Sequence, residues 1–336
     1  MNSADGAGGI PCPPLFLAPM AGVTNTVFRR ICREMGADVL TSEFVSAEGI
    51  MHKNPRTKFY IEFHESERPL WIQLFGGNPE RLAEAARVLI DWVQPDFLDL
   101  NFGCPVNKVV SKNGGSSLLR DCPLLARVAS AVVKAAGPVP VTAKIRIGWD
   151  DQSINATQTA SILADEGITR IAVHGRTKAQ GYTGLANWDV IADVAAAVSV
   201  PVIGNGDIRT GEDAISRFHN CGVAGLMIGR AAMANPWIFS EIRAAVAGVP
   251  FLQPSPEDRW KLILRHCQEE VAWRGDELSA LKSMRARLMA YTRGMPGGPR
   301  LRERLARVAS RAELEDIATL ALGDTANEIC STTLVG

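Results

Sequence analysis

The stretch VPVIGNGDIRTGEDAISRFHNCGVAGLMIGR, residues 200–230, decides the fold. Val200–Ile203 is a short apolar run, and it leads into Asn205-Gly206-Asp207. Thr210–His219 has helical spacing, and Ala224–Ile228 is apolar again before Gly229-Arg230. Strands alternating with amphipathic helices read as parallel βα units. The same punctuation recurs upstream, with apolar runs at Leu15–Pro19, Asp38–Thr41, Leu70–Phe75, Phe97–Leu100, Pro140–Ile145 and Arg170–Val173. Helical patterns fill the gaps at Thr26–Met35, Pro79–Trp92, Pro123–Ala136, Ile154–Glu166 and Trp188–Ala197. Eight such units match one α/β (β/α)8 TIM barrel, a fold that takes about 250 residues.

The pattern changes after the helix expected at Pro236–Ala247. The reading is an irregular N-terminus at 1–14, a barrel at 15–247, a Pro-containing linker at 248–256, an all-helical domain at 257–322 and a loose tail at 323–336. The chain has 336 residues and equal numbers of basic and acidic side chains, 36 of each. That neutrality is an average. Between Lys282 and Arg311 there are nine Lys or Arg against one acid, Glu303. A charge run on a helix is commonly only a solvated face, but this imbalance within a neutral chain favours an anionic partner.

Seven scattered cysteines form no CxxC pair and no cluster at metal spacing, so a reducing compartment and no bound metal are expected. Met1–Pro14 lacks the layout of a signal peptide, and no apolar run nears the roughly 18 residues of a membrane span. The expectation is a cytoplasmic protein with no membrane association, a monomer by default.

Active sites of such barrels lie at the C-terminal ends of the strands. The residues expected there are Pro19, Met20 and Ala21, then Gln73, Asn101 and Cys104, Lys144 and Arg146, His174 and Arg176, Asn205–Asp207, and Gly229-Arg230. Loops after the seventh and eighth strands of these barrels often bind phosphate through backbone N–H groups, a role open to Gly206 and Gly229 with Arg230 adding charge. Lys144 sits inside the apolar run VTAKI, where an unpaired ammonium is costly, so it should face an anion. Cys104 follows a buried strand in a Gly-Cys-Pro turn and should point into the barrel mouth. The other six cysteines read as small buried hydrophobes.

Seven strings then carry a resemblance: LAPMAGVTN at 17–25, QLFG at 73–76, DLNFGCPVNKVV at 99–110, TAKIRIGWD at 142–150, VHGRTKAQGYTG at 173–184, IGNGDI at 203–208 and MIGRAAMANPWIF at 227–239. In this order and spacing the chain resembles the flavin-dependent, bacterial-type tRNA-dihydrouridine synthase family from Leu17 to about Val308. Asn25 stands where the family pattern has Asp. In MRARLMAYTRGMPG at 284–297, Arg287 stands where it has His.

The resemblance implies FMN, with Pro19, Met20 and Ala21 along the ring, Gln73 and Lys144 at its polar edge, His174 nearby, and Asn205, Gly206, Asp207, Gly229 and Arg230 around the phosphate. It implies NADPH as reductant and tRNA as substrate. Hydride would go from the flavin to C6 of uracil and a proton from Cys104 to C5, a role suited to a thiol near about pKa 8.5. Asn101 would hydrogen-bond the uracil or the flavin, and Arg176 would hold the base or a nearby phosphate. Arg285, Arg287, Arg293, Arg300, Arg302 and Arg304 would meet the RNA backbone. The rival readings are an FMN barrel reductase of a free small molecule, of the dihydroorotate dehydrogenase or enoate reductase type, and an RNA-binding barrel without catalysis.

Overall fold

The structure is a computed structural model that describes residues 12–52, 54–110, 113–295 and 298–333. Nine strands are present among these residues: β1 (Leu15–Leu17), β2 (Val39–Thr41), β3 (Val45–Ser46), β4 (Leu70–Phe75), β5 (Phe97–Phe102), β6 (Val141–Arg146), β7 (Ile171–His174), β8 (Val202–Asn205) and β9 (Gly225–Ile228). All pair in parallel. β1 lies between β2 and β9, and β2 also pairs with β4, so eight strands close into a barrel. The two-residue β3 is an addition beside the upper end of β4. The eight expected strands are the eight barrel strands. β3 and the short helices Ala47–Met51 and Pro55–Ile61, packed between the second and third of them, are not in the sequence reading.

Closure divides each strand into an outward and an inward set, because side chains alternate. The outward set, such as Leu70, Ile72 and Leu74 on β4 or Leu98, Leu100 and Phe102 on β5, is fully buried. At the base of the interior, Phe16, Trp71, Ala172, Ile203 and Met227 form a plug, with Phe97 packed against it. Phe16 and Trp71 meet edge-on, ring centroids 5.3 Å apart. One pleat higher the inward residues turn polar, with Gln73 on β4, Asp99 on β5 and Thr142 on β6 side by side in register. Filling the base this way leaves the chemistry only the upper end.

Local signals place the helices around the barrel. Asn25 accepts from the backbone N–H of Phe28 at 3.0 Å and caps Thr26–Glu34. Asn and Asp cap equally well, so the departure from the family pattern at this position keeps its physical job. Thr210 opens Gly211–Cys221 with a capping box, and Gly222 closes it in the left-handed conformation.

The chain separates into two compact units. One holds the chain up to Gly229 with Ile238–Pro250, and the other holds Arg230–Trp237 with the chain from Phe251 onward. The division falls inside the expected linker, 248–256. The short helix Arg230–Ala234, absent from the sequence reading, groups with the second unit. That unit is helical, with helices Pro256–Arg274, Glu277–Tyr291, Gly298–Arg307 and Arg311–Thr333.

The last helix corrects one expectation. Residues 323–333 are helical and not a loose tail, because RAELEDIATLALGDTANEICSTT contains no proline to stop a helix already packed through Leu314, Ile317 and Ala318. Of the expected irregular N-terminus, residues 12–14 have no regular structure, and 1–11 lie outside the described residues. Residues 334–336, and Pro296-Gly297 of the 284–297 string, also lie outside them.

Candidate active site at the C-terminal rim of the barrel

The register of the strands builds the site. Asn101 on β5 pairs with Lys144 on β6, and Arg146, His174 and Asn205 pair across β6, β7 and β8. Lys144 Nζ donates to Asn205 Oδ1 at 3.1 Å, while Asn205 Nδ2 donates to the Met227 carbonyl at 2.6 Å. Burial, helped by the Arg146 guanidinium, pulls the Lys144 ammonium down to about 7, against the attraction of Asp99. Lys144 is therefore an amine that is readily charged or neutral near pH 7, and an anion at the inner wall would hold it charged.

Cys104 sits on a turn pinned from several sides. Its N–H donates to Asn101 Oδ1 at 2.8 Å, and its carbonyl accepts from Ser116 Oγ at 2.9 Å. Arg146 Nε donates to the Gly103 carbonyl at 2.9 Å. Gly115, at φ +59°, lies so close that a Cβ there would stand 2.8 Å from the Cys104 carbonyl oxygen, so only glycine fits. Burial pushes the Cys104 thiol up, outweighing the Val106 backbone hydrogen bond and the Arg146 and Lys144 charges that favour thiolate. It is a protonated thiol at neutral pH.

The rim also offers a cradle. Gly206, at φ +134°, packs so tightly that a Cβ would lie 2.6 Å from Ala186 Cβ, whereas at Gly229 a Cβ would meet only Ala18 Cβ at 3.5 Å and Met20 Sδ at 3.8 Å. His174 lies beside Gly206, and its ring is 6.4 Å from that of Tyr182. Pro19 and Met20 are half-buried and Ala21 exposed, in a turn closed by hydrogen bonds from the Val23 and Thr24 N–H groups to the Met20 carbonyl. Open backbone, one buried ammonium and a row of Asn, His and Lys suit a flat anionic heterocycle carrying a phosphate.

Three assignments change. Arg176 is 1% exposed, and its guanidinium is taken up by Asp207 Oδ2 at 2.7 Å and by the Thr183 and Gly184 carbonyls at 3.1 and 2.7 Å. It ties the 183–184 loop to the end of β8 and is not open to a base or phosphate. Asp207, at φ +51°, keeps its carboxylate on Arg176, so only its backbone is placed to serve a phosphate. Gln73 is fully buried between Asp99 and Asn101, below the rim, and does not line an open edge.

The basic stretch also divides. Arg287 is 1% exposed and faces His266 Nε2 at 3.1 Å and Glu270 at 3.7 Å, which withdraws it from any surface role. Arg285 donates to the Arg307 and Val308 carbonyls at the end of Gly298–Arg307. Arg293, Arg300 and Arg304 are exposed and Arg302 is half-buried. On Gly298–Arg307 the leucines at 301 and 305 are buried, so Arg300, Arg304 and Arg307, spaced by four and three, share the outer face.

Asp99 is missing from the sequence reading, and Arg146, which that reading places beside Lys144 at its strand end, is given no role in it. Asp99 carried the same signal as Lys144, since the acid in FLDLNF is also a charge inside an apolar run. Among the described residues no group of three or more His, Cys, Asp or Glu is placed to hold a metal, and no helix is long and apolar enough to cross a membrane.

Comparison with known proteins agrees with this geometry. The family described as Dihydrouridine synthase (Dus) matches residues 16–327. A tRNA-dihydrouridine synthase B of Pseudomonas aeruginosa is 38% identical over 295 residues, 88% of each chain. One from Pseudomonas putida is 40% identical over 292 residues, 86% of each. A probable tRNA-dihydrouridine synthase of Aquifex aeolicus is 34% identical over 302 residues, 89% of this chain and 93% of its own. Among solved structures, histamine dehydrogenase from Rhizobium sp. 4-9 shares the fold, with a TM-score of 0.52 over 72% of this chain and 48% of that one at 12% identity. Because the match runs from β1 into the last helix and takes in the whole polar rim, the chain belongs to the dihydrouridine synthase family.

Proposed function

We propose that the protein reduces the C5=C6 bond of a uridine in tRNA, with FMN as the bound cofactor and NADPH as the reductant. The observation that carries this reading is a protonated Cys104 on a pinned turn beside Lys144, at the mouth of a dihydrouridine synthase barrel. Pro19, Met20 and Ala21 would lie along the flavin ring, with Lys144, His174 and Asn205 at its polar side. The backbone of Gly206, Asp207 and Gly229, with the Arg230 side chain, would hold the phosphate.

The chemistry supplied by a bound flavin is hydride donation to C6 of the uracil. Cys104 delivers the proton to C5 from Sγ, and its raised affinity for that proton keeps it loaded at neutral pH. Asn101 fixes the turn from which the proton leaves. Lys144 meets the negative charge that reduction creates. The uridine must leave its stack to reach a site at this depth. Arg293, Arg300, Arg302 and Arg304 supply phosphate contacts that give affinity without reading sequence.

Two outcomes are expected. Lys144→Ala should slow reduction of the bound flavin by NADPH or weaken its retention. In the unsubstituted protein that rate should fall as pH rises through about 7, where Lys144 loses its proton, and the variant should lose this dependence. Stopped-flow flavin absorbance across that range checks both. Reversing charge at Arg300, Arg302 and Arg304 should weaken tRNA binding and lower its salt slope by about one for each phosphate that is no longer neutralised. Filter binding at several salt concentrations reads it, and unchanged affinity would place the RNA elsewhere. The reading as a whole is tested on purified protein given NADPH and unmodified tRNA. A flavin spectrum with dihydrouridine formed supports it, and a colourless, inert protein contradicts it.

A further inference from the structure

The polar pleat beneath the rim holds a hydrogen-bonded series that neither hydride nor proton transfer calls for by itself. Thr142 Oγ1 and Gln73 Nε2 donate to the two oxygens of Asp99, each at 2.6 Å. Asn101 Nδ2 donates to Gln73 Oε1 at 2.7 Å, and Asn101 Oδ1 accepts from the N–H groups of Cys104 at 2.8 Å and Gly103 at 3.2 Å. Asp99, Thr142 and Gln73 are fully buried, so no water can repair a misplaced donor or acceptor.

An amide has a donor end and an acceptor end, and two amides in series transmit direction. Burial lifts the Asp99 carboxyl to about 6, against the hydrogen bonds from Thr142 and Gln73 and the charge of Lys144, so at neutral pH it is ionised and only accepts. Gln73 must then turn its NH2 toward Asp99 and its carbonyl toward Asn101. Asn101 must in turn aim its NH2 at Gln73 and its carbonyl at the turn. Reversing Asn101 would bring donor to donor at the Cys104 N–H, and reversing Gln73 would bring donor to donor at the Asn101 NH2.

We propose that Asp99 is a positioning residue for the proton donor: as an obligate acceptor it orients the Gln73 and Asn101 amides in series, and through them holds the Gly103-Cys104 turn. The inference rests on the reading of Cys104 as the acid. What Asp99 contributes to the turn is an acceptor, and its charge is incidental to that orientation. Asp99→Asn can keep that acceptor, because Asn can offer Oδ1 to Gln73 and Nδ2 to Thr142 Oγ1, whose hydroxyl can turn fully to the Leu98 carbonyl it already approaches at 3.4 Å. Adding Thr142→Val removes this outlet, and Asp99→Leu removes the acceptor altogether.

The test compares Asp99→Asn, Asp99→Asn with Thr142→Val, and Asp99→Leu by two readouts. One is the alkylation rate of Cys104, mapped to its peptide, in protein without cofactor. The other is single-turnover uridine reduction at saturating tRNA, measured apart from flavin reduction by NADPH. Asp99→Asn is expected to alkylate at the unsubstituted rate, and its uridine step, which also loses the Asp99 attraction on Lys144, is compared with that of the double variant, which shares this loss. The double variant should alkylate about tenfold faster and reduce uridine about tenfold more slowly than Asp99→Asn, with Asp99→Leu following it, the scale of removing one buried hydrogen bond. If Asp99→Asn alkylates as fast as the double variant, charge and not orientation is the contribution, and the proposal is overturned. It is equally overturned if the double variant matches Asp99→Asn, a comparison that stands even if Asp99→Leu does not fold. Alkylation needs neither flavin nor tRNA, so a protein inactive on tRNA would sink the functional reading while still deciding this one.

Discussion

Cys104→Ala is expected to bind FMN and accept electrons from NADPH normally, yet to form dihydrouridine about 10²–10⁴-fold more slowly, the usual contribution of a placed general acid. The substitution removes one sulfur and, of the turn's hydrogen bonds, only the one from the Val106 backbone to that sulfur, since Asn101 and Ser116 hold the backbone of Cys104. Loss confined to the uridine step is the signature. Single-turnover mixing of the reduced variant with tRNA measures it. A variant as fast as the unsubstituted protein would remove Cys104 as the proton donor.

Arg29→Met should be the most damaging substitution away from the rim. Arg29 and Glu67 are both fully buried and joined at 2.5 Å, with Arg29 also donating to the Thr24 and Glu62 carbonyls, each at 2.7 Å. Glu67 further accepts from the Thr26 hydroxyl and the His64 N–H, so it is the knot between Thr26–Glu34 and the segment before β4. Removing the guanidinium leaves a buried carboxylate uncompensated, at a cost of about 3–5 kcal/mol. Urea unfolding should report that loss, and the double variant Arg29→Met, Glu67→Leu should recover part of it, because the penalty lies in the unpaired charge. Additive losses would contradict this.

Much of the barrel was legible because its strands are apolar runs closed by Gly or a polar residue, and eight of these at regular spacing allow few other folds. Lys144 was legible because a charge inside such a run is conspicuous. Arg176 and Arg287 were less legible for the opposite reason. A sequence displays charge and not burial, and both guanidinium groups are buried against carboxylates, carbonyls or a histidine of the protein itself. The periodicity of Gly298–Arg307 did carry the missing information, since Leu301 and Leu305 fix one face inward and send Arg300 and Arg304 out.

Gln73 was placed too high because position along a strand gives the face a side chain points to but not its depth. Its depth follows from register, with Gln73 opposite Asp99 and one pleat below the Asn101–Lys144 pair. Register is set by all eight strands closing together. The tail was misjudged from its small residues, although a helix already nucleated and packed needs only the absence of a breaker to continue.

Dihydrouridine measured in tRNA from a strain lacking its own synthases, with and without this gene, tests the proposed reaction most directly. Dihydrouridine is expected to return at a defined uridine, and the Cys104→Ala gene is expected not to restore it. A protein that is expressed, yellow with flavin and reducible by NADPH, yet restores no dihydrouridine, would contradict the proposed reaction.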